Sequence, residues 1–350
     1  MISFSFLPPS RRDVLIYDEK TLTNHKVDKF LFKKKNIEIL NTRNEKINLF
    51  ILLKALIFKK FNNLRDNYKY FFINTVKPKI VFTTTFPNFS FYLLKEIYPK
   101  AKYISCQMGL TKKDFYDFAY SQIKKFNYNY YADALTVLGE EDKERIKKII
   151  NCKKILVCGN LNNNEITLKK QKNKKYIVYI ASTFFWELKK NKFIFNCLIN
   201  FANKNNYKLY YLEKPQKKNV ENLNEKKLKK IFFTKNWTFL NIKDKFEKYT
   251  FLNNSSLIAF DHSTLGYEFL SRGKKCIIFD HGKFHKLADY PKNGPFWCES
   301  KFHFKIEKKI KKILNYNNDE WKKIYKHHSK QILFYDKKNK IIKNLLQKLK

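Results

Sequence analysis

Short apolar runs alternate with longer helical patterns along most of the chain. Runs rich in Val, Ile, Tyr and Phe that are bounded by polar residues are typical of buried strands. The runs predicted as strands are DVLIY (13–17), IEIL (37–40), KIVFTTT (79–85), KYISC (102–106), ALTVLG (134–139), KKILVCGN (153–160), YIVYIAST (176–183), YKLYYLEKP (207–215), WTFLN (237–241), SLIAFD (256–261) and CIIFD (276–280). Because helical patterns separate most of these runs, the chain predicts βαβ units and a mostly parallel sheet.

Helices are predicted between the strands, and the C-terminal tail is predicted to be helical. Their approximate ranges are 45–60, 89–98, 114–127, 140–150, 187–205, 243–251 and 318–350. The most apolar segment, LFILLKALIF (49–58), is too short to cross a bilayer and carries Lys54. We therefore predict a buried amphipathic helix there.

A polar segment divides the chain. Residues 161–175 (LNNNEITLKKQKNKK) have no hydrophobic period, which is typical of a linker. A chain of 350 residues accommodates two domains. We predict an N-terminal domain over 1–165, a C-terminal domain over 173–335 and a helical tail over 336–350. Two consecutive α/β domains would face each other across a cleft, the usual place for a ligand.

The charge is strongly basic: 73 basic and 31 acidic residues give a net charge of +42. Base-specific and bidentate phosphate contacts favour arginine. Only six basic residues are arginine: Arg11, Arg12, Arg43, Arg65, Arg145 and Arg272. Lys, Asn, Ile, Phe and Tyr all have A/T-rich codons, so we attribute most of the charge to genome composition. We predict no specific nucleic-acid partner, but expect the basic surface to attract anionic membranes and phosphorylated substrates.

Cysteine usage indicates a reducing compartment. The six cysteines form no CxxC pair, and several lie in apolar runs, as buried free thiols do. The first twenty residues lack the layout of a signal peptide. The predicted location is the cytoplasm, with peripheral contact at the inner face of the cytoplasmic membrane.

The stretch IAFDHSTLGYEFLSRGKKCIIFD (258–280) carries the strongest candidate chemistry. It reads as strand, tight turn, helix and strand, with Ser263 or Thr264 as the helix N-cap. The turn would lie at the carboxyl edge of a parallel sheet, where free N–H groups can hold a phosphate. Gly266 would let a ligand approach the first turn, and Glu268 could accept hydrogen bonds from a sugar diol. The alternative is an ordinary capped helix in which Gly266 permits close packing.

This stretch resembles the nucleotide-binding segment of GT-B-type glycosyltransferases. In that family a hydroxyl-bearing turn precedes a helix with a Glu, and a Gly follows five residues later, as Glu268 and Gly273 do here. The resemblance implies two Rossmann-like domains facing a cleft. It also implies that Glu268 binds the nucleotide ribose and that the turn, with Ser263, Thr264 and Gly266, holds the phosphates.

The chain resembles more closely a group of bacterial surface-carbohydrate biosynthesis transferases. The similar segments are LIYDEKTL (15–22), NTRNEKIN (41–48), the segment from Asp261 to Glu268, and GPFW (294–297). Two departures stand out: His262 is inserted between Asp261 and Ser263, and Met108 replaces the Asn expected between Gln107 and Gly109. Met108 has no amide and so cannot reproduce a polar contact of that Asn.

Further candidates follow other predicted strands. In GT-B folds the loop holding Ser182 and Thr183 faces the donor phosphates, although these residues could equally cap a helix. His262 could contact the donor or simply pack. Asp18 or Glu19, after the first strand, could be the base that deprotonates an acceptor hydroxyl, or could belong to a turn or cap.

Two motifs have a functional and a structural interpretation. If they lay on a helix, Asp280, His281 and His285 would have a spacing that could hold a metal. Gly282 argues against a helix there. The preferred interpretation is a loop that lines the nucleotide pocket. We predict no metal and no cofactor other than the donor substrate. The segment GPFW could fix a loop at the edge of a pocket or anchor the core.

These observations predict a metal-independent glycosyltransferase of surface polysaccharide (lipopolysaccharide or capsule) biosynthesis. It would move a sugar from a nucleotide-activated donor to a glycan or lipid-linked acceptor, with the donor on the second domain. The alternatives are a polyol-phosphate transferase of the same fold, a degenerate transferase kept as a binding partner, and a non-catalytic basic module that binds polyanions or nucleic acid. The last would show clustered arginines, which the chain lacks.

Overall fold

The computed structural model of the protein describes residues 3–23, 26–29, 31–32, 36–42, 46–111, 113–169, 174–181, 188–213, 218–232, 236–261, 263–279 and 294–348. The chain divides into two compact units. Unit 1 comprises Met1–Glu165 together with Asp336–Lys350, and unit 2 comprises Ile166–Tyr335. Each unit contains one large parallel sheet and its covering helices.

Unit 1 has eight described strands. They are β1 (Ser3–Ser5), β2 (Val14–Tyr17), β3 (Ile37–Leu40), β4 (Lys46–Asn48), β5 (Ile80–Thr83), β6 (Lys102–Cys106), β7 (Tyr131–Val137) and β8 (Asn151–Val157). Six of them form one sheet in the order β3-β2-β5-β6-β7-β8, in which every pair is parallel. β1 and β4 form a separate parallel pair. All residues of β2 and β5 are buried, as expected for parallel strands covered on both faces.

Eight described helices of unit 1 connect these strands. They are α1 (Lys20–Thr23), α2 (Leu49–Ile57), α3 (Leu64–Val76), α4 (Phe89–Tyr92), α5 (Leu94–Ile97), α6 (Lys113–Phe126), α7 (Glu140–Ile146) and α8 (Leu161–Glu165), with a 3-10 turn at Val27–Lys29. Asparagine side chains cap α2 and α3: Asn48 accepts from the N–H of Ile51, and Asn63 from that of Asp66. Such caps satisfy N–H groups that a helix start leaves unpaired.

The prediction of a buried helix at 49–58 is only partly correct. Ile51 and Ala55 are buried, but Leu53, Leu56, Ile57 and Phe58 are each at least half exposed. The helix therefore uses one face for unit 1 and presents a second apolar face outward.

Unit 2 is built on the same plan. Its strands are β9 (Tyr176–Ala181), β10 (Lys208–Glu213), β11 (Thr238–Leu240), β12 (Leu257–Phe260), β13 (Cys276–Phe279) and β14 (Trp297–Cys298). All described pairs are parallel, in the order β11-β10-β9-β12-β13-β14. Its helices are α9 (Leu188–Lys204), α10 (Lys218–Ile231), α11 (Lys245–Asn254), α12 (Thr264–Ser271), α13 (His303–Asn315) and α14 (Asn318–Ile332). The central strands β9 and β12 are buried throughout.

The end of the chain returns to unit 1. After a 3-10 turn at Lys337–Asn339, helix α15 (Lys340–Lys348) buries Ile342, Leu345 and Leu346 in the core that contains Ile16 and Phe82. This core explains why the tail groups with the N-terminal unit rather than with the unit that precedes it in sequence.

Buried amides hold the tail in place. The side chain of Asn164 on α8 accepts a hydrogen bond from the N–H of Asp336 (3.0 Å) and donates one to Oδ1 of Asn339 (3.0 Å). Asn339 in turn donates to the carbonyl of Leu161 (2.9 Å). Residues 161–165, at the start of the predicted linker, are therefore a buried helix and not a linker, because their amides pair with the tail.

Two sequence-level expectations concern chemistry and membrane topology. All six cysteines are free, and all except Cys152 are buried, as predicted. Within the described ranges, no helix combines the length and the apolar character needed to cross a bilayer.

The packing of α15 predicts that Leu346→Ala destabilises unit 1 selectively. Loss of a buried Leu side chain should cost about 2–5 kcal/mol of unfolding free energy. All four tryptophans fall within 166–335, so tryptophan fluorescence reports the unfolding of unit 2. Far-ultraviolet circular dichroism reports both units. We expect Leu346→Ala to lower the urea midpoint of the dichroism signal more than that of the fluorescence.

The exposed Asn344 on the same helix provides the matched control, since Asn344→Ala removes no packing. An equal shift of both signals in Leu346→Ala would contradict the assignment of α15 to the core of unit 1.

Candidate functional site

The carboxyl edge of the unit 2 sheet brings together several of the predicted residues. All its described strands are parallel, so their carboxyl ends meet along one edge, where open α/β sheets bind ligands. β12 ends at Phe260, Asp261 follows in a buried position, and α12 begins at Thr264. This is the strand, turn and helix predicted from the sequence.

Among the described residues, no side chain caps the start of α12. Ser263 is the N-cap, with extended backbone, but its hydroxyl makes no capping hydrogen bond. Ser263 and Thr264 are both partly exposed. With respect to the described residues, the first-turn N–H groups of α12 are therefore available to an anion, which a helix N-terminus favours through its dipole.

Gly266 lies against the strand that precedes it. A Cβ atom at this position would clash with the ring of Phe260. The missing side chain therefore permits α12 to pack closely on β12, which is the packing interpretation of this glycine. A phosphate contact of Gly266 stays a prediction.

Glu268 is buried inside the unit, one turn into α12. Its carboxylate accepts a hydrogen bond from the hydroxyl of Tyr249 on α11. Burial raises the pKa of Glu268 to about 7, against the opposing influence of the Tyr249 hydrogen bond and of the charges of Lys245 and Arg272. Glu268 is therefore poised between its neutral and charged forms near neutral pH.

Arg272 connects α12 to both ends of unit 2. Its guanidinium donates a hydrogen bond to the carbonyl of Ile166 (2.8 Å) and lies 4.3 Å from the ring centre of Tyr335. Ile166 and Tyr335 are the first and last residues of the unit. The charge of Arg272 also acts to lower the pKa of Glu268. Arg272, the C-cap residue of α12, therefore influences the glutamate of the candidate site and contacts the two ends of unit 2.

A second acidic residue, Glu213, lies at the same sheet edge. Glu213 of β10 pairs with Ala181 of β9, and the register of β12 places Asp261 at the level of that same alanine. Both carboxylates are buried. The pKa of Tyr211 is raised mainly by burial of its own hydroxyl and, secondly, by the negative charges of Glu213 and Asp261. The edge thus offers two carboxylates that can accept hydrogen bonds from sugar hydroxyls. Sequence reasoning missed Glu213, although an acid ending an apolar run was the available signal.

The corresponding edge of unit 1 contains the predicted base. Asp18 is almost fully buried and adopts a left-handed φ of 76°. Its carboxylate accepts the N–H of Lys20 at 3.0 Å and lies 3.5 Å from the hydroxyl of Thr85. This is the geometry of a turn and cap. Glu19, next along the chain, is partly exposed.

Gln107 also belongs to this edge, after β6. Its side chain donates to a carboxylate oxygen of Asp142 (3.0 Å) and accepts from the N–H of Leu138 (3.1 Å). The neighbouring Met108, which replaces the expected Asn, is buried in the core of unit 1. The substitution thus places an apolar side chain into an apolar core.

The remaining candidates divide into two sets. Phe296 and Trp297 of GPFW are buried, so this segment anchors the core of unit 2. Ser182, Thr183, His262, Asp280, His281 and His285 lie outside the described residues.

Comparison with known proteins supports the resemblance inferred from the sequence. Residues 182–350 match the model of a family described as "putative O-antigen biosynthesis protein". No curated protein sequence matches the chain significantly.

Solved structures share the fold across nearly the whole chain. The UDP-GlcNAc 2-epimerase from Methanocaldococcus jannaschii is 12% identical, with a TM-score of 0.57 over 97% of this chain and 99% of that one. The UDP-GlcNAc 2-epimerase from Neisseria meningitidis, bound to UDP-GlcNAc, is 13% identical, with a TM-score of 0.54 over 96% and 99%. A chain of the GtfA/B complex is 12% identical, with a TM-score of 0.51 over 81% of this chain and 60% of that one. The predicted α/β architecture is confirmed: the chain has the GT-B-type fold, and its C-terminal part resembles an O-antigen biosynthesis family.

Proposed function

We propose that the protein is a glycosyltransferase-like enzyme of cell-surface polysaccharide biosynthesis, which transfers a sugar from a nucleotide-activated donor to a glycan acceptor. The observation that carries the proposal is the uncapped start of α12 at the carboxyl edge of the unit 2 sheet. This site falls within the region that matches the O-antigen biosynthesis family. Neighbours in fold that bind UDP-GlcNAc support a nucleotide-sugar as the donor.

The donor diphosphate would bind at the start of α12. Free N–H groups of the first turn and the hydroxyls of Ser263 and Thr264 would hold its oxygens. As the sugar leaves, negative charge develops on the diphosphate, and the positive end of the helix stabilises it without requiring a metal. The lysine-rich surface adds further positive charge.

Glu268 would contact the ribose hydroxyls. In the free protein its carboxylate bonds to Tyr249, and its pKa is about 7. A ribose hydroxyl donating to the carboxylate favours the charged form over the neutral one. Nucleotide binding should therefore be linked to deprotonation of Glu268.

Transfer to a hydroxyl acceptor requires a base, and unit 1 supplies Asp18 and Glu19. Asp18 already accepts the N–H of Lys20 and is almost fully buried. Glu19 is partly exposed, and within the described residues no hydrogen bond engages its carboxylate. We therefore propose Glu19 as the base and Asp18 as the residue that fixes the turn.

Epimerisation of a UDP-sugar is a second candidate function. The epimerases align with almost all of this chain and 99% of their own length, whereas the GtfA/B chain aligns over 60% of its own. An epimerase converts its nucleotide-sugar without an acceptor. Incubation of the protein with UDP-GlcNAc alone, followed by NMR of the sugar C2 proton, separates the two functions.

The outward face of α2 supports a peripheral contact with an anionic membrane. Leu53, Leu56 and Ile57 follow the spacing of one helix face, and all three are at least half exposed. Lys54, Lys59 and Lys60 lie in or directly after the same helix. An apolar face with adjacent lysines is the arrangement that inserts shallowly into anionic bilayers. We propose that this surface brings the enzyme to a lipid-linked acceptor.

A nucleotide panel tests the donor site. We expect at least one of CMP, CDP, UDP, GDP and their common sugars to raise the melting temperature of the wild type. Glu268→Gln should abolish most of that rise, since it removes the carboxylate without changing the volume. Glu247→Ala, which alters an exposed acid on α11, should leave it unchanged. Absence of any stabilisation would refute nucleotide binding, and an undiminished rise in Glu268→Gln would refute the ribose contact.

The pKa of Glu268 predicts how donor affinity depends on pH. A pKa near 7 leaves the free carboxyl mostly neutral at pH 6 and mostly charged at pH 8. Since the ribose favours the charged form, affinity for UDP-GlcNAc should rise about tenfold from pH 6 to pH 8. The diphosphate diester does not titrate in this range, so calorimetry reports the protein group. A slope that persists in Glu268→Gln would assign the effect to another residue.

Vesicle sedimentation tests the α2 surface. We expect more binding to vesicles containing phosphatidylglycerol than to pure phosphatidylcholine vesicles, and less at high salt. The double substitution Leu56→Ser and Ile57→Ser should reduce binding several-fold, whereas Phe304→Ser, at an exposed aromatic of unit 2, should not. Equal losses in both variants would show that α2 is not the contact.

A further inference from the structure

A cavity of about 500 Å³ opens in unit 1 at the carboxyl end of edge strand β3. Leu40, Asn41 and Thr42 form one side of it, directly after or at the end of β3. Residues of β4, α2 and α3 form the others. Its size is that of a small-molecule site, and none of the functional residues considered above lies in it.

Cationic side chains line the cavity. Among the residues that the structure describes, Lys46, Arg65 and Lys69 contribute to its wall, and no Asp or Glu does. Asp66 pairs with Lys69 at 3.3 Å and so offsets the charge of that lysine. The cavity is therefore suited to a ligand that carries negative charge.

Two residues of the cavity wall carry buried side-chain oxygens. In the described part of the chain, Asn41 Oδ1 and Thr42 Oγ1 have no hydrogen-bond partner. Leaving a buried polar atom unpaired costs about 1–3 kcal/mol, and such atoms call for an explanation. Because both residues line the cavity, rotation of their side chains toward it would let the hydroxyl groups of a ligand donate to these oxygens, whereas a bare anion has no hydrogen to donate.

The remaining wall is apolar. Leu52 and Leu64 line the cavity together with the ring of Tyr68, whose hydroxyl is already engaged by the N–H of Asn48 (2.9 Å). Such a wall can pack against the C–H faces of a sugar ring. Hydroxyl donors, an apolar face and negative charge together describe one ligand class.

We propose that this cavity binds a negatively charged saccharide unit, which carries either a carboxylate or a phosphate. The site lies at the same sheet edge as Asp18, whose N–H donates to the carbonyl of Leu40 at 3.0 Å. Resting on the proposed transferase function, the inference assigns the cavity to the acceptor, so that the enzyme selects acidic acceptors. The binding itself does not depend on that function.

Saturation-transfer NMR with the full-length protein at constant ionic strength tests the site. The probes are glucuronic acid, glucose 6-phosphate, uncharged glucose and inorganic phosphate. We expect at least one charged sugar to bind at least tenfold more tightly than glucose and than phosphate. A preference for glucuronic acid would identify a carboxylate ligand, and one for glucose 6-phosphate a phosphorylated ligand.

Substitutions locate the binding. Arg65→Ala, at an exposed position on α3, should weaken the charged sugar at least fivefold, and Thr42→Val should weaken it by removing one hydroxyl. The exposed Lys59 lies outside the cavity wall, so Lys59→Ala is the matched control. Equal binding of glucose or of phosphate, or equal effects of Arg65→Ala and Lys59→Ala, would overturn the proposal.

The outcome is independent of the donor site. Glu268→Gln should leave binding of the charged sugar unchanged, and Arg65→Ala should leave nucleotide stabilisation unchanged. Charged-sugar binding without nucleotide binding would refute the transferase function and keep the saccharide site. Nucleotide binding without charged-sugar binding would refute the saccharide site and leave the transferase function in place.

Discussion

Parallel pairing of the strands is the constraint on which the arrangement of polar residues depends. Strands covered on both faces, such as β2, β5, β9 and β12, are buried throughout and carry no charged side chains. Polar chemistry must therefore be placed where the strands end. Asp18 follows β2 and Asp261 follows β12, while Glu213 ends β10. In each unit, the carboxyl edge is thus the place where buried acids can reach a ligand without interrupting a strand.

The proposed donor site also depends on helix α12. Its first turn lies at the proposed phosphate site, its middle holds Glu268 against Tyr249, and its C-cap, Arg272, contacts Ile166 and Tyr335. The charges of the buried Glu268 carboxylate and of the partly buried Arg272 guanidinium stabilise each other, whereas burial opposes both charges. The balance leaves Glu268 responsive to any additional donor. Under the proposed function, a ribose hydroxyl would be such a donor.

Local patterns predicted most of the elements, because an apolar run must be buried wherever it lies. The runs at 14–17, 80–83, 176–181 and 257–260 are strands as expected. The hydrophobic pattern does not identify, however, which elements a buried face packs against. The apolar period of the tail predicts a helix with one buried face, but only the folded chain places Ile342 in the core with Ile16. The same limit explains why α2 was expected to be buried, and why the contact between Glu268 and Tyr249 was missed.

The two units differ in what they offer to a ligand. Unit 2 presents a helix N-terminus, two buried carboxylates and a titratable glutamate, the groups that the proposed donor site would use. Unit 1 presents a cavity lined by three cationic side chains and an apolar helix face, and Leu52 of α2 lines that cavity while Leu53 points outward. A membrane bound at the outward face of α2 would therefore be separated from the cavity only by α2 itself. An acidic saccharide attached to a lipid would satisfy both features at once, whereas a free acidic sugar would use only the cavity. Under the proposed function, the short separation between these features favours an acceptor that is presented at the membrane surface.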